Sequence, residues 1–417
     1  MRLIVSHTKR DCDTCVSPNS ILYSRCQFAT SVVGRLWMGY TQLRYLILLC
    51  LSHSMFNLLK SRLKKTLVAL LLVALFLGMS TPSSYAGLPS GNAITDGKAL
   101  LRYALPIDNK PVRQLQGSLE DISNQLRANK RWSAIASDLK KASRVIDAPD
   151  KLLASIPEAD QSKAKIIIEQ IKTDIESLQQ TAETKDKEKT LIQRAHALNL
   201  VGELEQMMVK GFPYEIPTEY SNLPQLKGRA TVAIKTNKGD LTVVVDGYSA
   251  PVTSGNFVDL VKRGFYDGLE FTRSEESYVL QTGDPAGKEV GFIDPKTKQY
   301  RAIPFEVLVE GDKKPTYGTT LEEAGRYTDM PVLPFSSFGA MALARPERDV
   351  NGGSSQFFFF LFEPELTPAG RNLLDGRYAI FGYLTEGRDV LDALKAGDKI
   401  ESAKVIDGLE NLVEPTA

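Results

Sequence analysis

The chain has 417 residues and a formal charge of +1, long enough for two domains. Residues 1–86 hold ten Lys/Arg against two Asp/Glu, leaving 41 basic and 48 acidic side chains beyond them; that mildly acidic body argues against nucleic acid as a partner. All four cysteines and two of the three histidines precede residue 55, so the body has no disulfide and no thiol nucleophile. A triad or a His-rich metal site there would rest on His196 alone.

From Met55 the chain reads Lys60, Arg62, Lys64 and Lys65, then an apolar run from Leu67 to Met79, then Ser84-Tyr85-Ala86. A charged start, a short apolar centre and a small-x-Ala site predict a secretory signal peptide over 55–86, cut after Ala86. The run is shorter than the roughly 20 apolar residues of a membrane span, so the mature chain is expected to carry none. Residues 1–54 read as a non-native upstream extension or a transit segment and take no part in the fold. Cys12-x-x-Cys15 has no matching second half, so it reads as a chance pair.

Residues 87–211 are expected to form an all-α bundle. Helical spacing joins Leu115, Leu119, Ile122 and Leu126 after Pro111; a second stripe runs Trp132, Ile135, Leu139, Ala142 and Ile146. A third, after Pro157, holds Ala164, Ile167, Ile171, Ile175 and Leu178. A fourth holds Leu191, Ala195, Leu198, Val201, Leu204 and Met208, and ends at Gly211-Phe212-Pro213. Each stripe must be buried against the others. The alternating charges of Glu183 to Lys189 read as a solvated loop or helix face, and His196 as a surface or hydrogen-bonded residue. Pro213, Pro217 and Pro224 break the helix and predict an extended linker over 212–228.

From residue 229 to 417 the period becomes two. Thr231 to Thr236, a turn at Asn237 to Asp240, and Leu241 to Val245 read as a hairpin. Pro251 opens a helix that closes at Gly264, and strands are expected over Tyr378 to Tyr383 and Ile400 to Ile406, with a helix at Asp389 to Ala396 between them. Short strands punctuated by Gly and Pro favour a closed β-barrel, giving an α+β multidomain chain overall.

Ordered motifs then point to a family. GDLTVVV, PVTSGNFVDL, FTR, LQTGD, AMA at 340–342, SSQFFF and LDGRYAIFG at 374–382 stand in the order found in cyclophilins, and the region over about 230–408 resembles them closely. The helical half and the signal resemble the multidomain cyclophilins of the thylakoid lumen. The resemblance implies peptidyl-prolyl isomerisation without cofactor or metal, by an exported protein of the thylakoid lumen or, alternatively, the periplasm. Its partners would be X–Pro segments of clients and a thylakoid membrane complex such as a photosystem; folding or assembly of exported proteins would be its task. A rival expectation is a weakly active scaffold that docks through its helices.

Carried over by position, the resemblance places the catalytic arginine at Arg273 and its supporting glutamine at Gln281. The proline pocket would be formed by Tyr278, Val279, Phe358 and Leu374, the first two standing where the family has Phe and Met. Gln356 and the backbone of Ala342, Leu343 and Ala344 would hold the substrate strand. Tyr378 stands in place of the family's pocket histidine and Leu373 in place of its tryptophan. Such residue types suit the reaction, whose obstacle is amide resonance worth roughly 18–20 kcal/mol. A permanently charged, rigid guanidinium can draw off the prolyl nitrogen's lone pair. A further expectation is that the proline-bearing linker or the bundle covers this cleft.

Overall fold

The structure, a computed structural model, describes residues 94–127, 131–362 and 372–415, all within one compact unit, Gly87–Ala417. The expected signal peptide, the segment 1–54 and the four cysteines lie outside the described residues.

Six helices come first: α1 (Gly97–Ala104), α2 (Lys110–Arg127), α3 (Trp132–Ile146), α4 (Pro149–Leu153), α5 (Gln161–Thr184) and α6 (Lys187–Met207). In the bundle, α2 packs on α3, α3 on α5, α5 on α6 and α6 back on α2, closing a ring around one apolar core. Leu115, Leu119, Ile122, Ile135, Leu139, Ile171 and Leu178 are buried in it, as their spacing requires. The fourth stripe is buried at Leu198, Val201, Leu204 and Met208 as expected, except that Ala195 is exposed while Ala197 and Leu200 also face the core. Trp132 is only half-buried against that core. The charged run Glu183–Lys189 is the tight turn between α5 and α6. Lys185 ends one helix with a left-handed backbone (φ 58°), and the Asp186 carboxylate caps the next by accepting from Lys189 N. His196 is exposed, its Nδ1 2.6 Å from Asp174 Oδ2.

Helix α1 does not join that core. Leu100, Leu101 and Ala104 pack on the outer face of the β-domain with Ala340, Ile380 and Tyr383. The approach is close enough that a Cβ on Gly97 would lie 2.9 Å from Tyr383 Cβ, so glycine lets the first turn settle on the sheet. Arg229 bridges the two parts: its Nε donates to Asp246 Oδ1 at 2.7 Å while its terminal nitrogen donates to the Leu101 carbonyl.

The β-domain is built from β1 (Gln225–Leu226), β2 (Arg229–Thr236), β3 (Gly239–Asp246), β4 (Arg273–Glu275), β5 (Val279–Thr282), β6 (Glu306–Val307), β7 (Thr316–Tyr317), β8 (Ala340–Leu343), β9 (Phe357–Phe360), β10 (Ile380–Glu386), β11 (Ile400–Asp407) and β12 (Leu412–Val413), with helices α7 (Pro251–Lys262) and α8 (Arg388–Ala393). Eight strands form one antiparallel sheet in the order β11-β2-β3-β10-β8-β9-β5-β4. The sheet curls as a half-barrel rather than as a fully laddered barrel. Its two edges meet only through the bridge Glu270–Lys399 and neighbouring backbone bonds such as Phe271 N to Asp398 O. Val232, Ile234, Val243, Val245, Phe357, Phe359 and Phe381 fill the concave interior with the inward side of α7.

Residues 212–228 are held against this domain. Leu223 to Leu226 are buried, β1 pairs with β12, and the Tyr220 ring lies tilted against Tyr317 at 5.2 Å. A Cβ on Gly255 of α7 would lie 2.5 Å from Gln225 Cα, so β1 crosses the helix at a residue without a side chain.

Two buried carboxyls make the fold pH-sensitive. Glu306 is fully buried and accepts from Thr253 N at 2.5 Å, at the first turn of α7. Burial pushes its pKa up to about 7, and burial does the same for Glu205 of the bundle although Arg113, 3.0 Å away, opposes it. Between the ordinary value of 4.5 and about 7 the folded chain retains protons that the unfolded chain has released. The stability these two groups contribute is therefore fully present at low pH and is lost as pH rises through that window. Glu306→Gln, neutral at every pH, is expected to remove about 1–3 kcal/mol of the fall between pH 4.5 and 7.5. Urea unfolding at each pH measures this; parallel curves for the two proteins would contradict it.

Candidate active site

Strand register assembles the site. β4 and β5 form a hairpin in which Arg273 lies directly opposite Gln281, and the intervening turn has Ser277 in the left-handed region (φ 57°). The next strands continue the row: Gln281 opposes Phe358, and Phe358 opposes Ala342. A spacing of eight in sequence is thus a cross-strand pair, both side chains standing on the outer face. The four phenylalanines of β9 divide as a strand must. Phe357 and Phe359 enter the interior, whereas Phe358 and Phe360 face outward.

Outside Phe358 lies a hollow of about 100 Å³ lined by Arg273, Tyr278, Val279, Gln281, Ala344, Arg345, Phe358, Leu374 and Tyr378. It is of the order of, and smaller than, the roughly 150 Å³ cavity that takes up a benzene ring. Its floor is rigid: Tyr378 stands edge-on to Phe358 at 5.4 Å, and Phe335 stacks behind at 6.1 Å. Tyr278 leans on Phe360 at 5.9 Å and is partly exposed. A neighbouring hollow of about 180 Å³ shares Gln281, Ala344 and Arg345 and adds Val290, Tyr300, Pro346, Gly352, Ser354 and Gln356. Among the described residues, none of the linker or the bundle lines either hollow, contrary to the expected cover.

One expected site residue, Leu373, stands elsewhere, and others meet the site differently from the carried-over roles. Leu373 is 84% exposed and lines a separate surface depression with Glu322, Tyr327 and Arg377. Ala342 lies under the site in the row but is wholly buried and lines neither hollow. Leu343, one step along β8, turns its side chain inward against Val252 and Ile303. Gln356 belongs to the second hollow. Gln281 does not hold the arginine: its Nε2 donates to Gln356 Oε1 at 2.7 Å, and Gln356 in turn donates to Asp284 Oδ1 and the Val290 carbonyl. Arg273 is instead paired with Glu275, which accepts from Nε at 2.8 Å and from a terminal nitrogen as well.

Glu275 and Arg345 were not legible as site residues. For Glu275 the signal was available, since residues i and i+2 of a strand share a face. Arg345 covers the Tyr378 ring at 5.0 Å and is tied down by donating to the Arg377 carbonyl. Among the described residues no group of acidic, His or Cys side chains could hold a metal ion, and no helix is long and apolar enough to cross a membrane.

The fold and the site thus define a curled antiparallel half-barrel with an arginine at the rim of an outward hollow floored by Phe358. The pattern described as cyclophilin-type peptidyl-prolyl cis-trans isomerase matches residues 231–410, and that of the CYP38-like, PsbQ-like domain matches 96–209. A Synechocystis protein that carries the provisional name of a thylakoid lumen peptidyl-prolyl cis-trans isomerase is 58% identical over 338 residues, covering 81% of this chain and 89% of that protein. The chloroplastic isomerases CYP38 and CYP37 of Arabidopsis thaliana are 46% and 34% identical, over 78% and 76% of this chain and 77% and 71% of theirs. The chain belongs to the cyclophilin-type peptidyl-prolyl cis-trans isomerases, and carries a PsbQ-like helical domain before the isomerase domain.

Proposed function

We infer that the chain isomerises X–Pro bonds at the Arg273–Phe358 hollow and serves as a folding or assembly factor in the thylakoid lumen. The observation that carries the reading is that Arg273 and Phe358 line one ring-sized hollow. A prolyl ring held against Phe358, Val279 and Leu374 would leave its amide nitrogen facing the guanidinium. Donation to that nitrogen opposes amide resonance and favours the twisted state, while no bond is broken. Ala344 and the second hollow would take the residues on the other side of the proline. The lumenal setting is supported by the names of the Synechocystis and Arabidopsis relatives. The direct experiment is a protease-coupled assay of residues 87–417 on an Ala-Pro peptide; a rate equal to the uncatalysed one would remove the isomerase role from this site.

A second reading is an assembly scaffold, favoured by one observation: the catalytic candidate Arg273 is already engaged by Glu275. It expects a partner, such as a thylakoid membrane complex, captured equally well by wild type and by Arg273→Ala. Loss of capture in that variant would count against it.

A further inference from the structure

We propose that Glu275 is a positioning residue that holds Arg273 in a resting pair and must release it before a peptide can use the guanidinium. The proposal rests on the site reading above. Arg273 and Glu275 are the first and last residues of the three-residue edge strand β4, so their side chains stand on one face, opposite Gln281 and Val279. Glu275 grips the guanidinium edge at two nitrogens, Nε and a terminal one. The guanidinium directs Nε and a terminal nitrogen to Glu275 rather than to the glutamine opposite, whose own side chain is drawn to Gln356, itself anchored to Asp284 and Val290.

Two consequences follow from electrostatics. A carboxylate against the guanidinium offsets the positive charge that a prolyl nitrogen would feel, so the paired state is a poorer donor. Both partners are about half exposed, 54% and 47%, so the pair is held weakly and salt screens it. Glu275 therefore tunes peptide capture without blocking it: a peptide must displace the carboxylate, and the cost falls on KM more than on kcat.

The test uses residues 87–417 and an Ala-Pro peptide at low salt and at 0.5 M NaCl. Glu275→Gln keeps the shape and removes the charge. It is expected to raise kcat/KM roughly two- to fivefold at low salt, the range an exposed ion pair commands, chiefly through a lower KM. At high salt the two proteins should converge, because the wild-type pair is screened. An equal or lower kcat/KM in Glu275→Gln, or a gain independent of salt, overturns the proposal. The same substitution placed in Arg273→Ala should change nothing; a gain that persists there would mean Glu275 meets the peptide directly, again overturning it. Should Arg273→Ala alone keep the wild-type rate, the site reading itself fails, a result distinct from an inert Glu275→Gln.

Discussion

Replacing Arg273 by alanine is expected to lower kcat/KM for an Ala-Pro peptide by about 10²–10³ while leaving the fold intact. The size follows from what one preorganised donor supplies, about 3–4 kcal/mol. A cyclophilin-like acceleration of about 10⁵ requires roughly 7 kcal/mol, so ring burial and positioning must furnish the remainder. Residual catalysis above the uncatalysed rate is accordingly part of the expectation. Stability should hardly change, since the only ion pair lost is the exposed one with Glu275. Arg273→Lys should recover only part of the rate, because an ammonium lacks the planar fork. Unchanged kinetics in Arg273→Ala would remove this residue from the mechanism.

The largest expected stability loss is at Arg229. Asp246 has no exposed surface and accepts from Arg229 Nε and from Ser249 Oγ, both at 2.7 Å. Arg229→Met removes the cation and leaves a buried carboxylate with one hydroxyl donor. Breaking one side of such a pair costs about 3–5 kcal/mol. The same substitution unties the Leu101 carbonyl, so α1 should lift from the sheet and become a site of limited proteolysis. Arg229→Met combined with Asp246→Leu should regain most of the loss, since the unpaired charge is gone. A double variant as unstable as the single one would assign the effect to the α1 tether instead. Urea unfolding with proteolytic mapping separates the two.

Much of this molecule was legible because its signals are local. Leu115 to Leu126 and Ile167 to Leu178 recur with the helical period, and each is buried where that period places it. The eight-residue interval between Arg273 and Gln281 is a hairpin register, and the alternation of Phe357 to Phe360 follows from strand geometry. What escaped depends on contacts distant in sequence. Helix α1 has only eight residues, and its destination is set by Tyr383, nearly three hundred positions on. The end of the helical run before 212–228 was readable from its prolines, but neither the helical turn at Thr218–Tyr220 nor the docking on α7 and β12 was. Leu373 stands by resemblance at the place of a family tryptophan, and lies outside the hollow because the chain there turns its side chain to solvent. The Arg273–Glu275 pair shows a different limit: spacing gave their common face, but not which of two neighbours the guanidinium would choose.

The pairing of β1 with β12, and of β2 with β11, carries a consequence for biogenesis. The opening strands of the isomerase domain are flanked by its closing ones, so β2 keeps one bare hydrogen-bonding edge until residues 400–407 have been made. The helices α2 to α6, whose contacts are nearer in sequence, can assemble while that edge still waits. During synthesis the isomerase domain is thus a late folder, its two ends sewn together only when the last strands arrive.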